Sequence, residues 1–392
     1  MTECAYAGWA RIDNAALAHN ARMLRQSAPA QEHMGIVKAD AYGHGAVPVS
    51  RALIEAGYRM LGIAQIDEAL TVRRALGAAA DNTRIFSWII PPAHEGALRE
   101  AVRAGIELSA STVADILAIA AIGIPARIHL KVDTGMSRAG ALIEDFPALV
   151  AAAVQARDRG VETVGIWSHL ACADEVGGLA QRATDRQIEI FQRALEIAAE
   201  GGLGHVTRHL AATSGQLWHP SARYDLVRDG IGLYGLTPNP QHATTVELGL
   251  RPVMTVGAPL MLVKHLRAGT AVSYGGTWTA PHDTWIGLIP LGYGDGVPRL
   301  ASNRARVSVY TEAGVIDAPI IGRVCMDQFV VKLGQGTSAP ARIGDTAILF
   351  GDPSRADTRG CPTADEWAEA CQTINYEIVT RIGPRVPRVY EG

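Results

Sequence analysis

The sequence predicts an α/β fold, with an N-terminal (β/α)8 TIM-type barrel followed by a mainly β C-terminal domain. Eight short apolar runs alternate with amphipathic helical patterns over about 230 residues, as in a parallel barrel. The rhythm changes near Asn239 and Pro240, and from about residue 250 apolar or alternating runs follow one another without long helices between them.

The first part of the chain supplies the barrel elements in order. A short strand over about 6–13 precedes an amphipathic helix over about 14–26, and the next apolar run ends at Lys38. A doubly wound open sheet is the alternative, but it would require a Gly-x-Gly-x-x-Gly turn after the first strand, which the sequence lacks. The other seven barrel strands are predicted at 61–64, 85–88, 106–108, 128–132, 164–167, 209–210 and 224–227.

The second part of the chain has the short, Gly- and Pro-punctuated runs of a β domain, closed by a helical segment over about 364–381. We therefore predict a barrel domain over 14–240 and a β domain over 241–392, to which the N-terminal strand over about 6–13 also belongs. The predicted strands of the β domain lie at 254–263, 306–310, 320–324, 329–333 and 347–350.

Composition favours a small-molecule partner. The formal net charge is −3 with basic residues scattered along the chain, which argues against nucleic-acid or membrane-surface binding. Five cysteines without a Cys-x-x-Cys pair predict reduced thiols and no metal site. No leader pattern and no apolar run approaching the roughly 18 residues of a membrane span is visible, so we expect a cytoplasmic protein.

Polar residues cluster at the predicted carboxyl ends of the barrel strands, where barrel enzymes hold their catalytic groups. Lys38, Lys131, His169 and Arg228 each end or directly follow an apolar run. Ser214 and the Gly230-Ile231 pair lie in the loops after the last two strands, where barrels bind phosphate groups. With Tyr42 and Tyr376 they could form a neutral phosphate-binding site.

Eight segments along both domains resemble the alanine racemase family, in order and in approximate spacing, from about residue 11 to 386. They surround Lys38, Arg138, His169 and Arg228 in the barrel, and they include Ser273-Tyr274-Gly275 in the β domain. The others are 291–296 (Leu-Gly-Tyr-Gly-Asp-Gly), 322–327 (Gly-Arg-Val-Cys-Met-Asp) and 375–377 (Asn-Tyr-Glu).

The resemblance implies a homodimeric fold type III enzyme that uses pyridoxal 5'-phosphate to convert L-alanine to D-alanine, a peptidoglycan precursor. Lys38 would hold the cofactor covalently and act as the base on one face of the amino acid substrate. Tyr274 of the partner subunit would act on the other face. Racemisation needs two such groups, because the α-proton leaves from one side and returns from the opposite side.

The resemblance also assigns supporting roles. Arg228 would donate to the pyridine nitrogen of the cofactor, and because a guanidinium stays protonated, it would leave that nitrogen without a proton. His169 and Arg228 would assist Tyr274 through a hydrogen-bonded chain, since a phenol ordinarily titrates near pH 10. Arg138 and the backbone N–H of Met326 would bind the substrate carboxylate, Lys131 is carbamylated in some members, and Asp327, Tyr293 and Tyr376 match positions of an access corridor.

Three alternatives stay open from the sequence. A racemase of another or several amino acids is a close variant, and Thr213, Ser137 and Leu170 depart from the residues common in the family. A fold type III decarboxylase would usually have an acidic residue in place of Arg228 and a Cys-Asp or Cys-Glu pair, whereas Met326 follows Cys325 here. A non-catalytic barrel protein would usually lack the β domain.

Overall fold

The computed structural model describes residues 8–91 and 95–392. Cys4 and the first two positions of the strand predicted at about 6–13 lie outside the described residues. The remainder of that strand is β1 (Trp9–Asp13), which is followed directly by helix α1 (Asn14–Ser27). The Asp13 carboxylate accepts a hydrogen bond from the backbone N–H of Ala16 (2.8 Å) and so caps α1.

Eight parallel strands form the predicted barrel, in the spatial order β8-β7-β6-β5-β4-β3-β2-β9. The ring closes between the outer two strands, where Arg228 N–H donates to the Ala211 carbonyl (3.1 Å) and Ala212 pairs with Arg228. The barrel prediction is therefore confirmed. Its strands are β2 (Glu32–Ile36), β3 (Met60–Gln65), β4 (Arg84–Ile89), β5 (Ile106–Ala110), β6 (Ala126–Lys131), β7 (Val161–Trp167), β8 (Thr207–His209) and β9 (Leu226–Asp229).

Helices separate the barrel strands and cover them on the outside. Parallel strands are covered on both faces, which is why these strands are nearly continuous apolar runs; all five residues of β5 are buried. After α1 the helices are α2 (Ala46–Glu55), α3 (Ile66–Leu76), α4 (Glu95–Arg103), α5 (Val113–Ala121), α6 (Phe146–Ala156), α7 (Gly178–Glu200) and α8 (Thr213–Trp218).

A second, nine-stranded sheet has the order β11-β14-β17-β16-β15-β18-β10-β1-β19, so β1 belongs to it. Strand β1 pairs antiparallel with β10 and parallel with β19, the last strand of the chain. The strands of this part are β10 (Met254–Pro259), β11 (Leu262–Leu266), β12 (Ala271–Val272), β13 (Trp278–Thr279), β14 (Thr284–Ile289), β15 (Arg306–Thr311), β16 (Gly314–Ile321), β17 (Phe329–Gly334), β18 (Thr346–Phe350) and β19 (Arg388–Glu391).

Several predicted boundaries were wrong. Strand β2 ends at Ile36, so Lys38 begins the following turn and does not end the strand. The run at 320–324 is only the end of β16, because Gly322 has φ of +73° and breaks the strand. The run at 254–263 divides into β10 and β11, and the helical segment at 364–381 divides into α9 (Ala364–Ala370) and α10 (Asn375–Thr380).

One large apolar core runs through both parts of the structure. Tyr58, Phe86, Phe146 and Trp367 are among its largest fully buried side chains. Within the described residues, no helix combines the length and the apolar content that crossing a bilayer requires.

We predict that Leu108→Ala, inside β5, lowers the free energy of unfolding by about 2–5 kcal/mol, since it removes a fully buried side chain and leaves a cavity. Leu117→Ala on the exposed side of α5 is the matched control and should change it by less than about 0.5 kcal/mol. Urea unfolding followed by circular dichroism measures both. Equal effects of the two substitutions would contradict the core assignment.

Candidate active site

Lys38 lies at the carboxyl end of β2, at the start of a left-handed turn. The four residues after it, 39–42, have φ of +52° to +53°, and none of them is glycine. Left-handed backbone costs roughly 1–2 kcal/mol for each such residue. The far end of the turn is fixed by Arg388 of β19, which donates to the Gly43 carbonyl from Nη2 (2.8 Å) and Nε (3.0 Å).

The Lys38 side chain points into a cationic environment. Its Nζ lies 5.8 Å from the centre of the Tyr42 ring. Burial lowers the pKa of Lys38, and the nearby Arg138 and Arg228 lower it further. Removal from water and neighbouring positive charges both favour the neutral amine, which is the nucleophilic form.

Aromatic rings and small residues surround the Tyr42 hydroxyl. The Tyr42 ring packs against Tyr234 (4.7 Å between centroids) and Tyr376 (6.2 Å). A Cβ on Gly230 would lie only 3.1 Å from Tyr42 Oη, so the absence of a side chain there leaves space beside the hydroxyl. The Gly230 N–H donates to Thr213 Oγ1 (3.0 Å), next to Ser214 in α8, and Ile231 follows as a buried residue.

Arg228 is buried and makes five hydrogen bonds, all from Nη1 and Nη2. Burial lowers its pKa to about 9, which leaves the guanidinium protonated at neutral pH. Nε donates to none of the residues that the structure describes. The five acceptors are the carbonyl oxygens of Ser168 (2.9 Å), His209 (3.1 Å) and Leu210 (2.8 Å), and the Nδ1 atoms of His209 (3.2 Å) and His169 (3.1 Å).

Because a guanidinium can only donate, Arg228 determines the tautomers of both histidines. His169 Nδ1 accepts, so its ring proton lies on Nε2. His209 Nδ1 also accepts, and its Nε2–H therefore donates to His129 Nδ1 (2.9 Å). Burial and the positive charge of Arg228 hold the pKa of His169 well below its usual value, and burial does the same for His209, so both rings are neutral.

This chain of hydrogen bonds continues through the barrel to a buried carboxylate. His129 Nε2 donates to Glu107 Oε2 (2.9 Å), and Arg84 binds both Glu107 oxygens (2.8 and 2.9 Å). Burial alone would raise the pKa of Glu107, but the hydrogen bonds from His129 and Arg84 outweigh it and lower the pKa to about 2. Glu107, His129 and His209 were not predicted, although Glu107 and His129 each stand between two apolar residues of their strands.

Lys131, at the end of β6, lies in the same cationic environment. Its Nζ is 4.3 Å from the centre of the Trp167 ring, and burial together with Arg138 and Arg228 lowers its pKa to about 8. Ser137, beside Arg138, has φ of +54°, and its N–H donates to Asp133 Oδ1 (3.1 Å). That left-handed conformation explains why glycine would be the less strained residue at this position.

The remaining predicted residues form a separate group in the β domain. Tyr274 is 72% exposed and shares a cavity of about 420 Å³ with Met326 and Asp327. All residues that line this cavity belong to the β domain. Tyr293 lies close by, with its N–H donating to the Cys325 carbonyl (3.0 Å). Asp327 is paired with Arg385 (2.8 Å).

The predicted site residues thus lie in two groups. The β-domain group lies around the cavity that holds Tyr274 and Met326. Among the predicted site residues of the β domain, Tyr376 of α10 is the one that lies beside the barrel group. The barrel group contains Lys38, Tyr42, Lys131, Arg138, His169, Ser214, Arg228, Gly230 and Ile231.

A closed (β/α)8 barrel with buried cations at its strand ends, joined to a β domain, defines a two-domain barrel enzyme. Family models for the N-terminal and C-terminal domains of alanine racemase match residues 12–238 and 253–390. The chain therefore belongs to the alanine racemase family.

Individual relatives agree over the full length. An alanine racemase from Salinispora arenicola is 46% identical over 388 residues, which is 97% of this chain and 98% of the relative. The solved structure of alanine racemase from Streptomyces coelicolor has a TM-score of 0.92 and 43% identity, covering 100% of this chain and 99% of its own. The alanine racemase from Bartonella henselae with covalently bound pyridoxal phosphate has a TM-score of 0.83 and 27% identity, covering 98% and 100%.

We predict that the Glu107 carboxylate makes the free energy of unfolding depend on pH in acid. Its pKa is about 2 in the folded protein and 4.5 without the fold, so its stabilising effect is complete above about pH 4.5 and is lost as the pH falls towards 2. The loss from this group amounts to roughly 3 kcal/mol. Glu107→Gln should lack this part of the acid sensitivity and should be about 3–5 kcal/mol less stable at pH 7, because Arg84 loses its buried partner.

Urea unfolding at several pH values between 2 and 7 measures this effect, with Glu162→Gln, at an exposed position on β7 two strands away in the barrel, as the matched control. An unchanged pH dependence in Glu107→Gln would contradict the ion-pair assignment.

Proposed function

We propose that this protein is a pyridoxal 5'-phosphate-dependent racemase that interconverts L- and D-alanine. The observation that carries the proposal is the position of Lys38, which lies at a barrel strand end with Tyr42 beside its amine and Arg138 and Arg228 acting on its charge. The full-length similarity to alanine racemases and the covalent pyridoxal phosphate of the Bartonella henselae structure support it.

The residues around Lys38 fit this cofactor. The lysine favours its neutral, nucleophilic form, and Gly230 leaves space beside the Tyr42 hydroxyl for a phosphate group. Pyridoxal phosphate, when bound, supplies an electron sink for the electrons released at the α-carbon. Lys38 would hold it covalently, and the phosphate would be bound by the residues around the Tyr42 hydroxyl, namely Tyr42, Ser214, Gly230, Ile231 and Tyr376.

Arg228 would bind the pyridine nitrogen. Its Nη atoms are engaged with His169, His209 and backbone carbonyls, which leaves Nε as its free donor among the described residues. A donor that cannot release its proton keeps the ring nitrogen unprotonated. With Arg228 in this place the cofactor would supply a shallower electron sink than with an acidic partner, which would favour racemisation over transamination.

Two proton carriers must lie on opposite faces of the substrate, and we assign these roles to Lys38 and Tyr274. Tyr274 lies in a cavity lined only by the β domain and is mostly exposed. An exposed tyrosine of this kind can enter the site of a second subunit, so we propose a homodimer in which each subunit donates Tyr274 to the other.

His169 would connect Arg228 to that tyrosine. Its Nδ1 accepts from Arg228, so its Nε2–H can donate to the phenol oxygen of the incoming Tyr274. A donor at this place stabilises the phenolate, which is the form that removes a proton. Because His169 is neutral, it acts as a hydrogen-bond donor and is not itself a cation.

The substrate is an amino acid, and its carboxylate would be bound by Arg138 and by the backbone N–H of Met326. A pKa of about 8 leaves part of Lys131 as the neutral amine that reacts with carbon dioxide. A carbamate there would carry a negative charge and orient Arg138, whereas an unmodified lysine repels it. Tyr293, Asp327 and Tyr376 would line the access corridor.

We also propose a cellular location, a biological role and a division into domains. The enzyme would act in the cytoplasm, supplying D-alanine for peptidoglycan. The division into a barrel domain over 14–240 and a β domain over 241–392, with the first strand in the latter, remains a proposal.

Tyr274→Phe should slow racemisation in both directions by about 10²–10⁴-fold, the usual contribution of a general acid or base. Lys38 remains in this variant, so one enantiomer of alanine should still exchange its α-proton for solvent deuterium with retained configuration, while the other should not. The measurement is incubation of pure, cofactor-loaded protein with each enantiomer in heavy water, followed by NMR and chiral chromatography.

Tyr310→Phe, also in the β domain but on β15, is the matched control and should behave as the unmodified protein does. The same assay with larger L-amino acids tests the substrate, and alanine should react fastest. Normal racemisation by Tyr274→Phe, or loss of exchange from both enantiomers, would refute the assignment of the two faces.

A further inference from the structure

The turn that follows Lys38 begins with two backbone N–H groups that have no backbone acceptor in the part of the chain that the structure describes. Its four consecutive left-handed residues are each unfavourable for an L-amino acid. Within the turn, the Ala41 N–H donates to the Val37 carbonyl (2.9 Å) and the Gly43 N–H to the Ala39 carbonyl (3.0 Å). The N–H groups of Ala39 and Asp40, directly after Lys38, have no backbone acceptor among the described residues.

Glu68, in the first turn of α3, binds both of these N–H groups. Its Oε2 accepts from Ala39 N (3.2 Å) and its Oε1 from Asp40 N (2.6 Å). Each carboxylate oxygen therefore holds one donor. A carboxylate in this place acts as an N-cap does on an ordinary helix, where side-chain oxygens satisfy the first free N–H groups.

The carboxyl end of the turn is secured by other groups. Arg388 donates to the Gly43 carbonyl, and the Tyr390 hydroxyl donates to the His44 carbonyl (3.0 Å). The Asp40 side chain accepts from Ala46 N (2.6 Å) at the start of α2. All these contacts lie beyond Lys38, and on its other side the Tyr234 hydroxyl donates to the Ile36 carbonyl (2.7 Å). Glu68 is the side chain that binds the first two N–H groups of the turn, directly after the point at which the lysine leaves the backbone.

We propose that Glu68 is a positioning residue for the reaction: by capping the left-handed turn it sets the direction of the Lys38 side chain towards the cofactor and the α-carbon. This inference rests on the proposed function, in which Lys38 carries pyridoxal phosphate. Glu68 touches neither reactant, because it acts through the backbone of Ala39 and Asp40.

Glu68 also opposes the other charges that act on Lys38. Burial, Arg138 and Arg228 lower the pKa of the lysine, the neutral His169 lies nearby, and Glu68 raises the pKa. Removal of the carboxylate should therefore lower the pKa of Lys38 further. The neutral amine would then be available at lower pH, and attachment of pyridoxal phosphate should reach half of its maximal rate at a lower pH.

The test compares Glu68→Gln with Asp67→Asn. Asp67 is the exposed neighbour in the same helical turn, so its substitution removes a like charge without touching the Lys38 turn. Glutamine has one acceptor oxygen, and its NH₂ group would face a second N–H. Hydrogen exchange of peptides over 38–45, measured by mass spectrometry on the full-length holoenzyme, should accelerate by about tenfold or more in Glu68→Gln, equivalent to ~1.4 kcal/mol.

The second readout is the pH dependence of covalent attachment when pyridoxal phosphate is added to the full-length protein stripped of cofactor. The midpoint should shift to lower pH in Glu68→Gln and stay unchanged in Asp67→Asn. Glu68→Asp keeps the charge but is one methylene too short, so it should accelerate exchange with a smaller shift of the midpoint. It also replaces Glu68→Gln for the exchange test if the latter fails to fold.

The proposal is overturned if exchange over 38–45 is unchanged, if the midpoint does not move in Glu68→Gln, or if Asp67→Asn shows the same changes. Failure of the proposed function would look different. In that case pyridoxal phosphate would not attach to Lys38 in the unmodified protein, whereas the exchange data would still report whether Glu68 holds the turn.

Discussion

The hydrogen bonds of the buried Arg228 are the interaction on which the rest of the site depends. A guanidinium has donors only, so every neighbour that it contacts must accept. This constraint sets the tautomers of His169 and His209 and, through His209, that of His129. The chain ends at Glu107, whose negative charge lies deep in the barrel between His129 and Arg84. Each of the three histidines in this chain therefore carries its single ring proton on Nε2 and is neutral.

The positive charges around the two lysines explain the chemistry that the site favours. Arg138 and Arg228 act as positive charges on both Lys38 and Lys131, and the acidic groups that oppose them are Glu68 at Lys38 and Asp133 at Lys131. Such a site favours anionic occupants and neutral amines. A phosphorylated cofactor and the carboxylate of an amino acid match the first preference, and the proposed covalent attachment through Lys38 would use the second.

Much of the fold could be predicted from the sequence because both parts follow simple patterns. The alternation of apolar runs and helices identified all eight barrel strands, and it located Lys131, His169 and Arg228 at their ends. Strand β14 and the short strands β12 and β13 were not predicted. Strand β19 was missed as well, and its partner β1 lies at the other end of the chain, so no local pattern marks their pairing. The left-handed turn after Lys38 was also missed, since four successive non-glycine residues of this kind contradict local preference and depend on Glu68, Arg388 and Tyr390. The buried chain from Arg228 to Glu107 likewise needs the closed barrel, which brings His129 and His209, 80 positions apart, into contact.

We propose that the two proton carriers of each site come from two subunits, and mixing two nearly inactive variants tests this arrangement. In a mixed dimer of Lys38→Ala and Tyr274→Phe subunits, one site has both defects and the other has neither. Random reassociation should therefore restore roughly a quarter of the sites of the unmodified enzyme, from two parents that are each nearly inactive. If native mass spectrometry detects mixed dimers but the activity of the mixture stays at the level of the parents, the two proton carriers do not come from two subunits.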